Sequence, residues 1–128
     1  MENENKRKYD LEKRLIDFAV SIINIVEMLP NTRTGNHIAN QLVRCGTSPS
    51  PNYGEAQSAE SRKDFIHKIK IVLKELRETL VWLKIIRHKA LIPREQDLEI
   101  LINENNELIS IFVTSVKTAE KNRYSKKK

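Results

Sequence analysis

Hydrophobic residues recur every three or four positions in four stretches of the chain, which is the spacing of one face of an α-helix. The first stretch, from Tyr9 to Leu29, ends at Pro30, which cannot continue a helical hydrogen-bond ladder. The residues of its main face are Leu11, Leu15, Phe18, Ile22, Val26 and Leu29. A second apolar set widens this face, and it comprises Ile16, Val20, Ile23 and Ile25. We expect the second side to contact another subunit, because a helix that is apolar on two sides usually buries both.

Two prolines interrupt the second predicted helix. This helix begins near Thr34, a candidate N-cap, and directs Ile38 and Leu42 inward. Pro49 and Pro51 each remove a backbone donor, so the sequence predicts a kink at this point. The chain can continue beyond the prolines as a displaced helical turn, because proline is tolerated in the first turn of a helix.

The third and fourth predicted helices carry clearer start signals. Ser61 and Asp64 resemble a capping box at the start of the third helix, and Pro93 marks the first turn of the fourth. The apolar repeat of the third helix is Phe65, Ile69, Val72, Leu76, Leu80 and Leu83. The fourth helix has the apolar face Leu98, Leu101, Ile102, Leu108, Ile109, Phe112 and Val116. Asn105 lies in that face, where a polar residue can fix register at a cost in stability.

Four amphipathic helices with short connections predict an all-α fold, an antiparallel up-and-down four-helix bundle whose second helix is kinked at Pro49/Pro51. The chain has 128 residues and only three glycines, which suits one helical domain better than an all-β fold. We expect the bundle to occupy residues 9–119, with a disordered N-terminus at 1–8 and a basic disordered tail at 120–128.

Cysteine content and hydropathy indicate the compartment. Cys45 is the only cysteine, so no internal disulfide can form and a reducing environment is expected. No apolar run reaches the length of a membrane span, and the first ten residues are too charged for a signal peptide. These features predict a cytoplasmic protein that does not bind a membrane.

The net charge of +6 is unevenly distributed along the chain. The third helix and the C-terminal tail are basic, whereas the fourth helix is acidic. Such basic segments can bind RNA or DNA by neutralising phosphates. The residues predicted to do so are Lys70, Lys74, Arg77, Lys84, Lys121, Arg123, Lys126, Lys127 and Lys128. Alternatively, the basic and acidic helices attract each other, and the tail is only a solvated end.

A second polar row in the third helix includes Lys68 and Glu75, at positions that border or enter the core. A charge at such a position requires a partner. Arg44, Asn52 and Glu55, on either side of the prolines, are the expected partners. We therefore predict a structural polar network of these five residues, with Glu75 paired to Lys68 or Arg44. An acid/base cluster of Glu55, Lys68, Glu75 and Glu78 is the less favoured interpretation.

Signals for catalysis are weak. Asp64 and His67 have the spacing of one half of a di-metal ligand set in a helix bundle, but the chain holds no second such motif. Nothing in the sequence activates Cys45 as a nucleophile, and no glycine-rich phosphate loop is present. Trp82 is expected at an interface or the edge of the core. The sequence thus predicts no enzyme activity, cofactor, metal site or small-molecule substrate.

One region has a more specific signature. "SPSPNYGEAQSAESRKDFIHKIKIVLKELRETLVWL" resembles the signature region of the four helix bundle protein family, also called the 23S rRNA intervening-sequence proteins. The matching elements are Arg44, Ser48–Asn52, Glu55-Ala56, Ser61, Phe65, Lys68, Lys74-Glu75, Glu78-Thr79 and Trp82-Leu83. The similarity extends over about residues 9–119, and Pro49-Ser50-Pro51 departs from members with one proline or none.

The resemblance implies an up-and-down bundle and, for several relatives, a cyclic homopentamer. It also implies kinship with bacterial accessory proteins of diversity-generating retroelements, which assist a reverse transcriptase. The family brings no established catalytic residues. Two functions are therefore expected: a homo-oligomeric accessory protein that binds nucleic acid or a protein that handles it, or alternatively a purely structural or protein-interaction module with no nucleic-acid binding.

Overall fold

The computed structural model describes the backbone of residues 2–126 and the side chains of residues 10–122. Residues 2–126 contain no strand, and the all-α fold is confirmed. The helices of this part of the chain are α1 (Glu2–Met28), α2 (Arg33–Thr47), α3 (Pro49–Gln57), α4 (Arg62–Lys89) and α5 (Glu95–Lys126). Only Ser48 separates α2 from α3, so these two helices together form the second element of the predicted four-helix bundle.

The backbone at Ser48 keeps a helical conformation between the two helices, with φ −67° and ψ −31°. Its N–H donates to the carbonyl of Arg44 at 3.2 Å, and its own carbonyl accepts from the N–H of Asn52 at 3.1 Å. Pro49 and Pro51 lie in the first turn of α3, where a missing N–H costs little. The interruption lies where the sequence predicts it, and a bend at this point stays a prediction.

Side-chain caps fix the starts of α2 and α4. The Thr32 hydroxyl accepts from the N–H of Gly35 at 3.0 Å, so the N-cap of α2 is Thr32 and the predicted Thr34 is wrong. Thr32 has the extended backbone that an N-cap requires. At α4 the Ser61 hydroxyl accepts from the N–H of Asp64 at 3.0 Å, as predicted.

The core is formed mainly by α4, which packs against α2, α3 and α5, while α1 covers α2, α3 and part of α5. Its largest fully buried side chains include Phe18, Ile22, Leu42, Ile69, Leu76, Leu83, Leu108 and Phe112. Lys70 pairs with Glu120 at 3.2 Å, and Arg87 pairs with Glu99 at 2.9 Å. These contacts mean that α5 runs back along α4, and the up-and-down order of the whole bundle stays a prediction.

Asn105 of α5 is fully buried and binds the backbone of α4. In the amide orientation that satisfies both of its polar groups, Nδ2 donates to the carbonyl of Leu76 at 3.0 Å. In the same orientation Oδ1 accepts from the N–H of Leu80 at 3.1 Å. These two contacts fix the position of α5 along α4, because an axial slip would leave a buried amide without partners.

Helices α1 and α5 include residues 2–8 and 120–126, which the sequence assigns to disordered ends. The disorder of these ends, and the domain limits drawn from it, stay predictions. Lys127 and Lys128 lie outside the described residues. No helix in the described part of the chain is both long enough and apolar enough to cross a membrane.

Candidate nucleic-acid interface

One exposed face of α4 carries most of the positive charge of that helix. Exposed residues recur on this face every three or four positions, as expected for a helix whose opposite face is buried in the core. We call this face the α4 stripe, and its members are Lys63, His67, Lys70, Lys74, Arg77, Val81, Lys84 and His88. The α4 stripe contains no acidic residue and is about 37 Å long at 1.5 Å per residue.

Most of the cations in the α4 stripe are not neutralised by the acidic helix beside it. Lys70 pairs with Glu120 of α5, and both side chains remain substantially exposed. Lys74, Arg77 and Lys84 make no ion pair with any described residue. The sequence left open the alternative that the acidic α5 neutralises the basic α4. Among the described residues, this happens at Lys70 and not at the other three α4 residues predicted to bind nucleic acid.

The end of α5 adds further positive charge beside the start of the α4 stripe. The pairing of Lys70 with Glu120 places Lys117 and Lys121, both exposed, at the same end of the bundle. The remaining predicted tail contacts fall outside the described side chains, and they are Arg123, Lys126, Lys127 and Lys128.

A cleft of about 990 Å³ between the start of α4 and the last turns of α5 was not predicted. Hydroxyl-bearing residues line it, among them Ser61, Thr114, Ser115 and Thr118. Arg62 lies in the same lining, and its buried Nη1 has no hydrogen-bond partner among the described residues. Lys63, the next residue along α4, belongs to the exposed α4 stripe and is not part of this lining, whereas the acidic Glu60 is.

The structure brings most of the predicted polar network together. Asn52 of α3 donates from Nδ2 to Oε1 of Glu75 at 2.7 Å. Lys68 of α4 lies 3.4 Å from Oε2 of Glu55, in the next turn of α3. Both contacts join α3 to α4, so the segment after the prolines docks through polar side chains and is not a free linker.

The predicted pairing of Glu75 with Lys68 or Arg44 is wrong. Arg44 donates from Nη2 to Oε2 of Glu78 at 3.0 Å, and the same nitrogen donates to Gln41. The reason is axial register, since α3 places Asn52, not Arg44, opposite Glu75. The Arg44 and Glu78 side chains are 59% and 36% exposed, so this is a surface pair that adds at most about 1 kcal/mol.

The carboxyl group of Glu75 is only partly solvated. Burial raises its pKa above the ordinary value of 4.5, while the hydrogen bond from Asn52 and the nearby hydroxyl of Ser48 oppose the rise. The nearby guanidinium of Arg44 also opposes the rise in the pKa of Glu75, without a direct contact. The net direction is upward, because desolvation outweighs the partners that favour the charged form.

Arg14 joins α1 to α5 through an ion pair that sequence reasoning missed. Its Nη2 lies 2.6 Å from Oε1 of Glu104, and its Nε donates to the other oxygen of that carboxylate at 3.1 Å. Glu107 approaches the same Nη2 at 3.0 Å. The hydrogen bond to Glu104 contributes most to the raised pKa of Arg14. Ninety positions separate Arg14 from Glu104, and no local pattern signals such a contact.

The remaining reactive side chains lie apart from one another. Burial raises the pKa of the Cys45 thiol to about 11, so the thiol stays protonated near neutral pH. The rings of Trp82 and His37 meet edge to face at 5.9 Å, with Trp82 half-buried at the edge of the core. Within the described part of the chain, no group of three or more His, Cys, Asp or Glu side chains could hold a metal ion.

Comparisons with known proteins agree with this fold. The sequence profile of a family described as "23S rRNA-intervening sequence protein" matches residues 7–114. A solved structure from Bacteroides thetaiotaomicron VPI-5482, described as a protein with unknown function from the S23 ribosomal protein family, is similar with a TM-score of 0.76. The two sequences are 34% identical, and the match covers 84% of this chain and 98% of that chain. No curated protein matches this chain.

Proposed function

Because the chain belongs to the family of 23S rRNA-intervening sequence proteins, we propose that it is a non-enzymatic, homo-oligomeric accessory protein that binds the phosphate backbone of RNA or DNA. The observation that carries this proposal is the α4 stripe. Its cations share one exposed face, and Lys74, Arg77 and Lys84 have no ion-pair partner among the described residues. Unpaired surface cations in a row suit a polyanion better than a small ligand.

The mode of binding follows from the shape of this surface. The α4 stripe is a convex row of flexible side chains, with no phenylalanine, tyrosine or tryptophan to stack on a base. Lysine and arginine contacts of this kind position a phosphate backbone but do not read its sequence. Binding should therefore be tolerant of sequence and fall steeply with salt, because each neutralised phosphate releases counterions.

Assembly into a homo-oligomer would multiply these contacts. Ile16, Val20 and Ile23 of α1 are 48%, 51% and 40% exposed in the single chain, which supports the inference that another subunit covers them. The proposed number of five subunits rests on the family resemblance. Several weak phosphate contacts on one assembly combine through a high effective concentration. A reverse transcriptase is the proposed protein partner, on the same resemblance.

The second candidate function is a structural or protein-interaction module with no nucleic-acid binding. The ion pairs of Lys70 with Glu120 and of Arg87 with Glu99 favour it, because acidic side chains of α5 take up basic ones of α4 there. The two functions differ in whether the unpaired cations of the α4 stripe bind RNA or DNA.

The test is fluorescence anisotropy with a labelled single-stranded RNA and a labelled DNA duplex, at low and moderate salt. We expect Lys74→Glu combined with Arg77→Glu to weaken binding at least about tenfold at low salt. Arg33→Glu combined with Arg94→Glu makes the same change in net charge on exposed residues off the α4 stripe, and should weaken binding far less. A chain truncated after Asn122 measures the contribution of residues 123–128.

The outcomes separate the two functions. Equal losses in the stripe variant and its matched control would mean that net charge, and not the α4 stripe, drives binding. If neither the full chain nor the truncated one binds either polymer at low salt, the interaction-module function replaces the proposal. Light scattering on the same samples reports assembly, since a mass near 14.9 kDa at micromolar concentration would contradict the homo-oligomer.

A further inference from the structure

The outward face of α1 combines exposed apolar side chains with carboxylates that have no ion-pair partner among the described residues. We call it the α1 stripe, and it consists of Glu12, Ile16, Val20, Ile23 and Glu27. The spacing of three or four residues places all five side chains on one side of the helix. Lys13, which follows Glu12, pairs with Asp17 at 2.8 Å. The α1 stripe therefore has an apolar centre and an acidic residue at each end.

The C-terminal third of α4 presents the opposite combination. Val81 and Ile85 are 57% and 40% exposed, and they line a shallow hollow of about 450 Å³. The other lining residues are Lys84, His88 and Lys89, so the lining has no acidic side chain. Lys84 and Lys89 make no ion pair with any described residue. We call this set of five residues the α4 patch.

We propose that the α1 stripe of one subunit packs against the α4 patch of a second copy of this chain. The inference rests on the homo-oligomer of the proposed function and names the surfaces that form it. In this contact, Ile16, Val20 and Ile23 cover Val81 and Ile85, which removes apolar area from water on both sides. Glu12 and Glu27 are about 22 Å apart along α1, and Lys84 and Lys89 are about 8 Å apart along α4. The carboxylate at one end of the α1 stripe therefore faces the ammonium groups of the α4 patch.

Charge disfavours the two symmetric alternatives. Two α1 stripes packed against each other would bring carboxylates opposite carboxylates, and two α4 patches would bring lysines opposite lysines. Like charges held opposite each other destabilise a contact by amounts similar to those that opposite charges contribute. Only the unlike pairing satisfies both surfaces, so the interface is heterologous, with each subunit using two different faces.

The position of the two helices permits this arrangement. In the described residues α1 packs against α2, α3 and α5 but not against α4, so the two helices lie across the bundle from each other. One subunit can therefore offer its α1 stripe to one neighbour and its α4 patch to another. Such a contact builds a closed ring if the rotation between subunits closes. The α4 patch shares Val81, Lys84 and His88 with the α4 stripe, so in the assembly these residues are covered and phosphate binding there relies on Lys70, Lys74 and Arg77.

Charge reversal with rescue tests this interface. Glu12→Lys with Glu27→Lys reverses the α1 stripe, and Lys84→Glu with Lys89→Glu reverses the α4 patch. We expect each pair of substitutions alone to raise the dissociation constant of the assembly at least about tenfold, as measured by light scattering over a dilution series. All four substitutions in one chain should restore assembly, because the two surfaces are again complementary.

Matched controls reverse the same number of charges elsewhere. Glu60→Lys with Glu95→Lys is the control for the α1 stripe, and Arg33→Glu with Arg94→Glu is the control for the α4 patch. Circular dichroism melts establish that each variant is folded. If a charge-reversed chain melts early, Val20→Ser and Val81→Ser test the same contact through exposed side chains alone.

The results distinguish this inference from the function on which it rests. A wild-type chain that is monomeric at micromolar concentration contradicts the homo-oligomer and the interface together. A wild-type assembly that withstands both charge reversals keeps the homo-oligomer and overturns the pairing of the α1 stripe with the α4 patch. The pairing is equally overturned if each reversal dissociates the assembly but the four substitutions together fail to restore it.

Discussion

The backbone of Gly46 in α2 lies directly against the side chain of Ile22 in α1. A Cβ atom at position 46 would lie 2.7 Å from both Cγ1 and Cγ2 of Ile22, which is closer than two carbon atoms that are not bonded to each other approach. Both residues are buried, and Ile22 is fully enclosed by the core. The close approach of α1 and α2 therefore depends on the absence of a side chain at this position.

Gly46→Ala should lower the free energy of unfolding by about 1–3 kcal/mol, because one added methyl group forces a core isoleucine or a helix to move. Chemical denaturation checks this value. Gly54→Ala is the matched control, since position 54 is exposed in α3 and a Cβ there meets nothing within 4 Å. That control should stabilise the protein by up to about 1 kcal/mol through helix propensity. Equal effects of the two substitutions would contradict the close contact.

Asn105→Ala should destabilise the protein by about 2–4 kcal/mol, because it removes both hydrogen bonds to the backbone of α4 and leaves a small cavity. Asn106→Ala, the adjacent exposed position on the same helix, should stay within about 0.5 kcal/mol of the wild type. If the Asn105→Ala and Asn106→Ala variants have the same melting temperature, the amide of Asn105 contributes little to the stability of the protein.

The raised pKa of Glu75 predicts a specific dependence of stability on pH. As the pH rises above 4.5, the unfolded state loses this proton before the folded state does. The contribution of protonated Glu75 to the free energy of unfolding is therefore present below pH 4.5. It is lost as the pH rises through the pKa that this carboxyl group has in the folded protein. Glu75→Gln keeps an acceptor for Asn52 but cannot ionise, so its stability relative to the wild type should grow with pH until the pH exceeds the raised pKa of Glu75 in the folded state.

Denaturation of both proteins between about pH 4 and pH 8 measures this difference. Glu78→Gln is the control, because it removes the surface pair with Arg44 and should lower stability at neutral pH by less than about 1 kcal/mol. A Glu75→Gln variant that loses stability relative to the wild type as the pH rises would show that the charge of Glu75 is stabilising.

Helix identity was predictable because it depends on local information. Apolar spacing of three or four residues, the cap at Ser61 and the prolines near Ser48 all act within a few positions of the structure they produce. The N-cap of α2 was predicted two residues too late, because Thr32 and Thr34 are both suitable N-cap residues. Gly35 favours Thr32. A Cβ at position 35 would overlap the carbonyl of Pro30, so the chain turns tightly just before Gly35, and the N–H of Gly35 donates to the Thr32 hydroxyl.

Contacts between helices were harder to predict. The row of charges on α4 is exposed as its periodicity indicates, but which acid meets Arg44 depends on how far α2 and α3 lie along α4. A shift of one helical turn changes the partner from Glu75 to Glu78. The pair of Arg14 and Glu104 depends on the whole bundle closing, and a single sequence contains no signal for it.

The 90 positions between Arg14 and Glu104 also bear on the order of folding. The hairpin of α1 and α2 and the hairpin of α4 and α5 need only short loops to close, so their contacts can form early. The seam between α1 and α5 closes the longest loop of the bundle, and a cleft of about 620 Å³ lies along it. This seam should be the last part to form and the first to open in the native state, and its amides should exchange hydrogen faster than those of α4.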